Sequence, residues 1–555
     1  MTRSHLGRLF SLSSFSSFLQ KEDETTAINP TNTPNVLYTK DLIEAMKQVS
    51  KLVDTQWMYG IAFLNNTVED WKNPFEVALY VENQLAGNLL GLQIANEPDL
   101  YQDRRRGPSY QIPDWTSELQ SFFGALKTAD PDLPTSNNFH IPNVCCNWSP
   151  DQMMESGMLD TFKDDMKALT WQHYPHDNCG DNSGTGQAVL AEYHSHQLAL
   201  STAATLNYNA VNNVGIAAGL EVVMAETNTA SCSGFLGVSD AFISALWNID
   251  WTLTQAAINF TSSYMHVGGR DAHYNPFTAI QTNQSSIRGW TTGPSYYTAL
   301  VIAETFGSKN IAQVVDISPT FDNNVESDEK TIGNNFPAYA IYENNVPTKL
   351  AFLNYVNAPG TADYSAVIQV GGITEGSAKT TPTEVYVRYL NANATTEMFD
   401  ITWAGQTASP NGAHSSDGTL TGAVNTVTVP CDVAAGTCTV NIPAPGFALV
   451  FLTKDALDAS SGTHVARDPA TDPNSTVTAT TFPTTYNAQG QGSATAPEGA
   501  LETGNGRGGV GTTVGGSTSK GETSSAATGA EAGSMRVWTA WGALAVGTVW
   551  ALTFA

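Results

Sequence analysis

Charge is scarce in this chain, and basic charge above all. Of its 555 residues only 14% are Asp, Glu, Lys or Arg, and 25 basic residues face 52 acidic ones, a formal net charge of −27. With no long basic run, nucleic acid and anionic membrane surfaces are excluded as partners. An acidic ligand would need its own locally complementary pocket. The six cysteines, at 145, 146, 179, 232, 431 and 438, show no zinc-ligand spacing, so no metal or cofactor is expected. The first 19 residues carry Arg3 and Arg8, but serines break up their apolar residues and no secretory hydrophobic region forms.

What is present suits the cell exterior. Aromatic residues are plentiful (12 Trp, 19 Tyr, 22 Phe), and sugar C–H faces stack on aromatic rings, although most of these rings will be core. Sequons begin at Asn65, Asn147, Asn259, Asn283, Asn393 and Asn474. Cys431 and Cys438 flank a short loop and are expected to be bonded; the other four cysteines read as loop staples of open connectivity. From Val537 to Ala555 the chain is uncharged and mostly apolar, ending without a Lys/Arg flank, and Ser524-Ser525-Ala526-Ala527 lies upstream. That order is the signal for a GPI anchor; a single transmembrane helix is the alternative. The expected place is the cell surface or wall, reached by secretion, with the membrane touched only through the anchor and the chain a monomer. A secreted protein needs a leader, so residues 1–30 are expected to be a non-native or disordered start, with the true beginning absent.

The length calls for at least two domains. Between 31 and 315, strand-like runs alternate with helical periodicity, the pattern of a parallel α/β fold. Leu42, Met46, Val49 and Leu52 share one helical spacing, and Trp115, Leu119, Phe122 and Leu126 another. Strands are predicted at 57–64, 89–96, 134–140, 168–174, 220–226 and 262–267. From 316 to 453, short β runs between Gly, Pro and Asn turns predict an antiparallel sandwich. Residues 454–534, rich in Ser, Thr, Gly and Ala, predict a flexible stalk, and 535–555 the anchor signal.

Two glutamates close predicted strands: Glu97 after Leu89-Leu90-Gly91-Leu92-Gln93-Ile94-Ala95-Asn96, and Glu226 after Leu220-Glu221-Val222-Val223-Met224-Ala225. Strand carboxyl ends form the active face of parallel α/β barrels. Hydrolysis of a glycosidic bond with retention needs two carboxyls about 5 to 5.5 Å apart, one protonating the leaving oxygen and one attacking the anomeric carbon. A strand-end glutamate can also cap a helix or pair with a neighbour; two of them, one within Asn96-Glu97-Pro98, point to the chemistry.

Asn96-Glu97-Pro98 after one strand and Glu226 after a strand three further on resemble the large clan of retaining (β/α)8 hydrolases, with the acid/base after strand four and the nucleophile after strand seven. The run Gly91 to Tyr101, Trp171-Gln172-His173-Tyr174, Ala225-Glu226-Thr227-Asn228 and the trailing β domain are similar to glycoside hydrolase family 79, which contains β-glucuronidases and heparanases; the anchor signal looks fungal. The resemblance covers about 35–453. It implies a TIM-type barrel lacking roughly its first two β/α units, Glu97 as acid/base, Glu226 as nucleophile and Asn96 as a partner of the sugar 2-hydroxyl. Tyr174, at a strand end between the two glutamates, is expected to orient Glu226 and keep it ionised, or merely to pack; His173 faces the other way and reads as structural. Family donors to a glucuronyl carboxylate resemble Gly268, Gly269 and Tyr274 here, with Arg270 free to pair with Asp271 instead. Arg104-Arg105-Arg106 reads as a solvated loop, or as an attractor of acidic polysaccharide. The implied activity is exo-β-glucuronidase action on a polysaccharide or glycan, with heparanase-like endo cleavage as the variant. A noncatalytic surface glycoprotein with an incomplete barrel, or a wall-remodelling transglycosylase, are the other readings.

Overall fold

Apolar runs buried on both faces become the strands of a parallel sheet: β1 (Trp57–Ile61), β2 (Leu89–Ile94), β3 (Phe139–Val144), β4 (Met166–His173), β5 (Glu221–Thr227) and β6 (Ser262–Met265). The computed structural model describes residues 40–460 apart from 54, 64–65, 104–105, 132, 180–188, 269–271, 279–290, 308–310, 319–333, 370–380 and 410–417, together with the backbone of three short strands at 16–18, 36–38 and 553–554. The segments expected to be stalk and anchor signal, from 461 on and apart from 553–554, and most of the first 39 residues lie outside the described residues.

The six strands pair in sequence order, each with the next. Helices Lys40–Val53, Lys72–Leu85, Ile112–Ala129, Tyr208–Ala217 and Phe242–Ala257 alternate with them. The result is a partial TIM barrel: among the described residues its edges are β1 and β6, where a closed barrel has about eight strands and no edge. The sheet is nonetheless rolled. Met58 of β1, Ala168 of β4, Val223 and Ala225 of β5 and Tyr264 of β6 meet in one interior cluster.

Several boundaries differ from expectation, each for a local reason. The run predicted at 134–140 is a turn closed by Asn138 Nδ2 donating to the Pro134 carbonyl at 2.8 Å, with Asn137 at φ 55°, so β3 starts at Phe139. Strand β2 stops at Ile94 because Ala95 turns to φ 64°, and β6 stops at Met265. On helix Lys40–Val53 the inward residues are Ile43, Met46 and Ser50, while Val49 is 41% exposed. Trp115, Leu119, Phe122 and Leu126 are all buried as expected.

Gly91, within β2, leaves no room for a side chain. It sits at φ 149°, and a Cβ there would come within 2.4 Å of the Asn138 carbonyl oxygen and 2.7 Å of His140 Nε2. Backbone cannot yield as a flexible side chain can, so Gly91→Ala is expected to destabilise the barrel by about 2 kcal/mol or more, read as a lower denaturation midpoint. An unchanged midpoint would contradict this packing.

The second domain is antiparallel. Its strands are β7 (Ala312–Asp316), β8 (Ala338–Glu343), β9 (Val346–Asn354), β10 (Tyr364–Gln369), β11 (Glu384–Asn391), β12 (Thr402–Trp403), β13 (Val427–Asp432), β14 (Thr437–Ile442) and β15 (Gly446–Phe451). They pair in the order β7-β8-β9-β15-β11-β13-β14-β10, with β12 on β11. Alternation along β15 divides two interfaces: Ala448, Val450 and Leu452 pack against Ile368 and Val440 inside the β domain, while Phe447, Leu449 and Phe451 join the barrel core. The first seven residues of the segment expected to be stalk, Lys454–Ser460, are instead helix, with Ala456 and Leu457 buried.

At the seam, Asp250 sits on a helix whose residues from Phe242 to Gln255 are all buried. It accepts from His196 Nδ1 at 2.9 Å and from the hydroxyls of Tyr339 and, at 2.8 Å, Tyr355; His196 Nε2 lies 3.1 Å from Asp316. Cys431 and Cys438 are bonded as expected, and the four staples pair as Cys145–Cys146 and Cys179–Cys232.

Candidate active site

Glu97 and Glu226 stand at the carboxyl ends of β2 and β5, each 1% exposed. Strand β4 lies between and serves both. Gln172 Nε2 donates to Asn96 Oδ1 at 2.8 Å, beside Glu97, and two residues on the Tyr174 hydroxyl donates to Glu226 Oε1 at 2.8 Å. Residues two apart on a strand share a face, so both glutamate neighbourhoods open onto one surface.

The Glu97 turn is held from the β3 side. Ala95 and Glu97 have φ of 64° and 48°, a backbone region that costs a residue with a side chain about 1 kcal/mol or more. Asn143 stabilises it: its Nδ2 donates to the carbonyls of Ile94 (3.2 Å) and His140 (2.8 Å), and its own carbonyl accepts the Glu97 N–H at 3.1 Å. Asp99, fully buried, accepts the N–H groups of Cys146 and Asn147 at 2.7 Å each and of Cys145 at 3.4 Å. Burial pushes its carboxyl above the usual range, against those three N–H groups, which pull it down. The Cys145 and Cys146 sulfurs beside Asp99 are bonded to each other, so they are not thiolate ligands for a metal.

Glu226 is gripped from β6. His266 Nδ1 lies 3.4 Å from Glu226 Oε1, the oxygen that Tyr174 also reaches. The His266 N–H donates to the Thr227 carbonyl at 2.8 Å, and Asn228 Nδ2 donates to the His266 carbonyl at 3.0 Å. The rings of Tyr174 and Tyr274 flank His266 edge-on, with centroids at 6.3 and 5.7 Å.

The structure thus brings Asn96, Glu97, Tyr174, Glu226, Gly268 and Tyr274 to one end of the sheet. Tyr274 is 1% exposed; burial first, then the charge of Glu226, raises its hydroxyl well above the ordinary value. The Ser233 backbone, close to that hydroxyl, opposes this rise. Gly268 departs from expectation. Its N–H donates to Asn275 Oδ1 at 3.0 Å and so is not turned to an anion; the glycine is needed instead because a Cβ would meet the Ala272 Cβ at 2.8 Å and the Tyr274 hydroxyl at 3.4 Å. Gly269, Arg270, Asp271, Arg104 and Arg105 lie outside the described residues. Arg106, expected on a solvated loop, is buried: it pairs with Glu118 at 2.6 Å and stands over the Tyr101 ring at 5.3 Å. His173, read as structural, is held neutral, its imidazole lowered to about 4 by burial and then by His176.

Sequence reasoning missed Gln172, Asn143 and His266. Gln172 could have been found by its two-residue spacing from Tyr174, and His266 by its place at a strand end before Gly268. Asn143 gave no signal, because its contacts run to backbone carbonyls of another strand.

Residues 338–449 match the glycosyl hydrolase family 79 C-terminal beta domain. A β-glucuronidase of Aspergillus niger is 26% identical over 374 residues, covering 63% of this chain and 65% of that protein. One of Neurospora crassa is 22% identical over 381 residues, covering 63% and 67%. This chain therefore spans just under two thirds of the length of the Aspergillus relative, 65%. Among solved structures, a 4-O-α-L-rhamnosyl-β-D-glucuronidase from Fusarium oxysporum, in complex with Rha-GlcA, shares the fold with a TM-score of 0.60 at 17% identity, over 79% of this chain and 86% of that one.

Proposed function

We propose that this chain, a member of glycoside hydrolase family 79, is a retaining exo-β-glucuronidase acting on glucuronic-acid-containing polysaccharide or glycoprotein glycans. The observation that carries the reading is the carboxyl end of β4, where Gln172 and, just past the strand, Tyr174 fix Asn96 beside one buried glutamate and Oε1 of the other. In this reading Glu97 protonates the leaving oxygen while Glu226 attacks the anomeric carbon; Glu97 then takes a proton from the water that releases the sugar. Tyr174 and His266 set the Glu226 carboxylate for attack. Asn96, its carboxamide oxygen engaged by Gln172, presents its nitrogen to the sugar 2-hydroxyl, a contact that strengthens as charge develops at the anomeric carbon. Tyr274 offers its hydroxyl to the glucuronyl carboxylate. We place the protein at the cell surface or wall, monomeric and held by a GPI anchor.

Assay on aryl β-glucuronide against aryl β-glucoside tests the substrate. At least about 100-fold preference for the glucuronide in kcat/KM is expected, because sites built around a polar group discriminate strongly. Equal rates would sink the glucuronidase assignment. No turnover by a folded chain would favour a noncatalytic surface glycoprotein, and transfer to a sugar acceptor in place of water would favour a transglycosylase.

A further inference from the structure

The turn that carries Glu97 is seated on one stretch of chain at the end of β3, residues 143–147. The Asn143 carbonyl accepts the Glu97 N–H at 3.1 Å, and Asn147 Nδ2 donates to the Asp99 carbonyl at 2.9 Å. The buried Asp99 carboxylate accepts the N–H groups of Cys145, Cys146 and Asn147, the last two at 2.7 Å each. Two of these three donors belong to neighbouring cysteines that are bonded to each other and partly exposed.

Chain entropy gives that bond little purpose. A disulfide stabilises a fold mainly by closing a loop in the unfolded chain, and the effect grows with the loop. Cys179 and Cys232 are 53 positions apart and Cys431 and Cys438 are 7 apart, whereas Cys145 and Cys146 are adjacent. What their bond closes is a small ring around the Cys145–Cys146 peptide, the unit whose N–H reaches Asp99 at 2.7 Å. The ring limits rotation on both sides of that peptide and keeps successive N–H groups aimed at one carboxylate. With the ring open, two residues regain backbone freedom. Asp99 then has looser donors in a place where burial already disfavours its charge.

We propose that the Cys145–Cys146 bond is a reversible thiol–disulfide exchange site whose two states set the catalytic competence of Glu97. The proposal rests on Glu97 being the acid/base of a glycosidase. A dithiol reductant supplies the chemistry. One of its sulfurs, as thiolate, attacks one cysteine sulfur; the S–S bond breaks, and the other cysteine leaves as thiolate and takes up a proton. The second reductant sulfur, deprotonated, then displaces the first cysteine, which is protonated in turn. Two electrons and two protons pass to the protein, and the dithiol becomes a disulfide. Because the bond closes so short a loop, its loss leaves the chain folded while the turn loosens. Glu97, two residues before Asp99 and at φ 48°, then departs from the geometry that proton transfer needs.

The test treats the full chain with dithiothreitol in the absence of denaturant and scores each cysteine by differential alkylation and mass spectrometry. Cys145 and Cys146 are expected to become alkylated, kcat on aryl β-glucuronide to fall by about 10-fold or more, and reoxidation with oxidised glutathione to restore it. Hydrogen exchange in the peptides that contain Asp99 and Cys146 is expected to quicken by about 10-fold or more. Cys179→Ala with Cys232→Ala should keep this response. Cys145→Ser with Cys146→Ser should begin at the kcat of the reduced chain and show no response; should that variant not fold, the treated, unsubstituted chain decides. Reduction of the pair with kcat and exchange unchanged overturns the proposal. So does a pair that resists reduction in the folded chain, or a response that vanishes with Cys179 and Cys232 or survives in the serine variant. No turnover in either state, with exchange still quickened by reduction, overturns the glycosidase reading while upholding the bond as the element that holds the turn.

Discussion

Glu226→Ala is expected to lower kcat on aryl β-glucuronide by about 10⁴-fold or more, with circular dichroism unchanged. The side chain is 1% exposed and its Oε1 is held by Tyr174 and His266, so removal takes away the attacking group and leaves its positioning residues in place. Azide added to this variant should restore turnover and yield the α-glycosyl azide, because the small anion attacks from the side the carboxylate held. Glu97→Ala should behave differently. Bond cleavage should survive with a dinitrophenyl leaving group, which needs no proton, and be lost with an alkyl one, while azide should give the β-product. The reverse pattern would exchange the two roles. Tyr174→Phe separates positioning from packing: a fall in kcat of about 10-fold or more with KM held is expected from loss of the 2.8 Å hydrogen bond. A change in stability alone would make Tyr174 a packing residue.

The second large effect lies at the seam between the domains. His196→Ala is expected to destabilise the chain by about 3–5 kcal/mol, since it leaves Asp250 buried and without its ion-pair partner. Burial alone would lower the His196 imidazole, but Asp250 and Asp316 outweigh it and hold the group up at about 10. A histidine so raised stabilises fully below its ordinary value of 6.5, and that contribution is lost as pH rises through about 10. Asp316 moves in the opposite sense: burial raises it, but His196 and Ser318 bring it below its ordinary value of 3.8. Its contribution is present above 3.8 and lost as pH falls through its lowered folded value. The thermal midpoint should therefore decline as pH rises from 7 to 10, and His196→Gln should remove most of that decline. A decline of equal size in the variant would place the alkaline instability elsewhere.

Much of this was legible before folding was considered. The β/α alternation needed only periodicity, and Glu97 and Glu226 stood out because apolar runs end on them. Tyr174 could be placed beside Glu226 because alternation fixes which strand residues share a face. Contacts running from side chain to distant backbone escaped, as at Asn143 and Asp99, because any residue offers the same N–H and carbonyl and leaves no mark in the sequence. The role expected of the Gly268 N–H was misread for a related reason: Asn275, seven residues on, takes the donor that the glycine appeared to free.

The sequence by itself determined the parallel-then-antiparallel order of the chain, the strand ends that carry the two glutamates and the Cys431–Cys438 bond, because each follows from short-range pattern. Only the tertiary structure decided that Arg106 is a buried ion pair, that Cys145 bonds to Cys146, and that β15 packs on the barrel with one face and the sandwich with the other. Those outcomes depend on which surfaces meet when distant segments pack, and desolvation there sets whether a charge is paired and a polar atom satisfied.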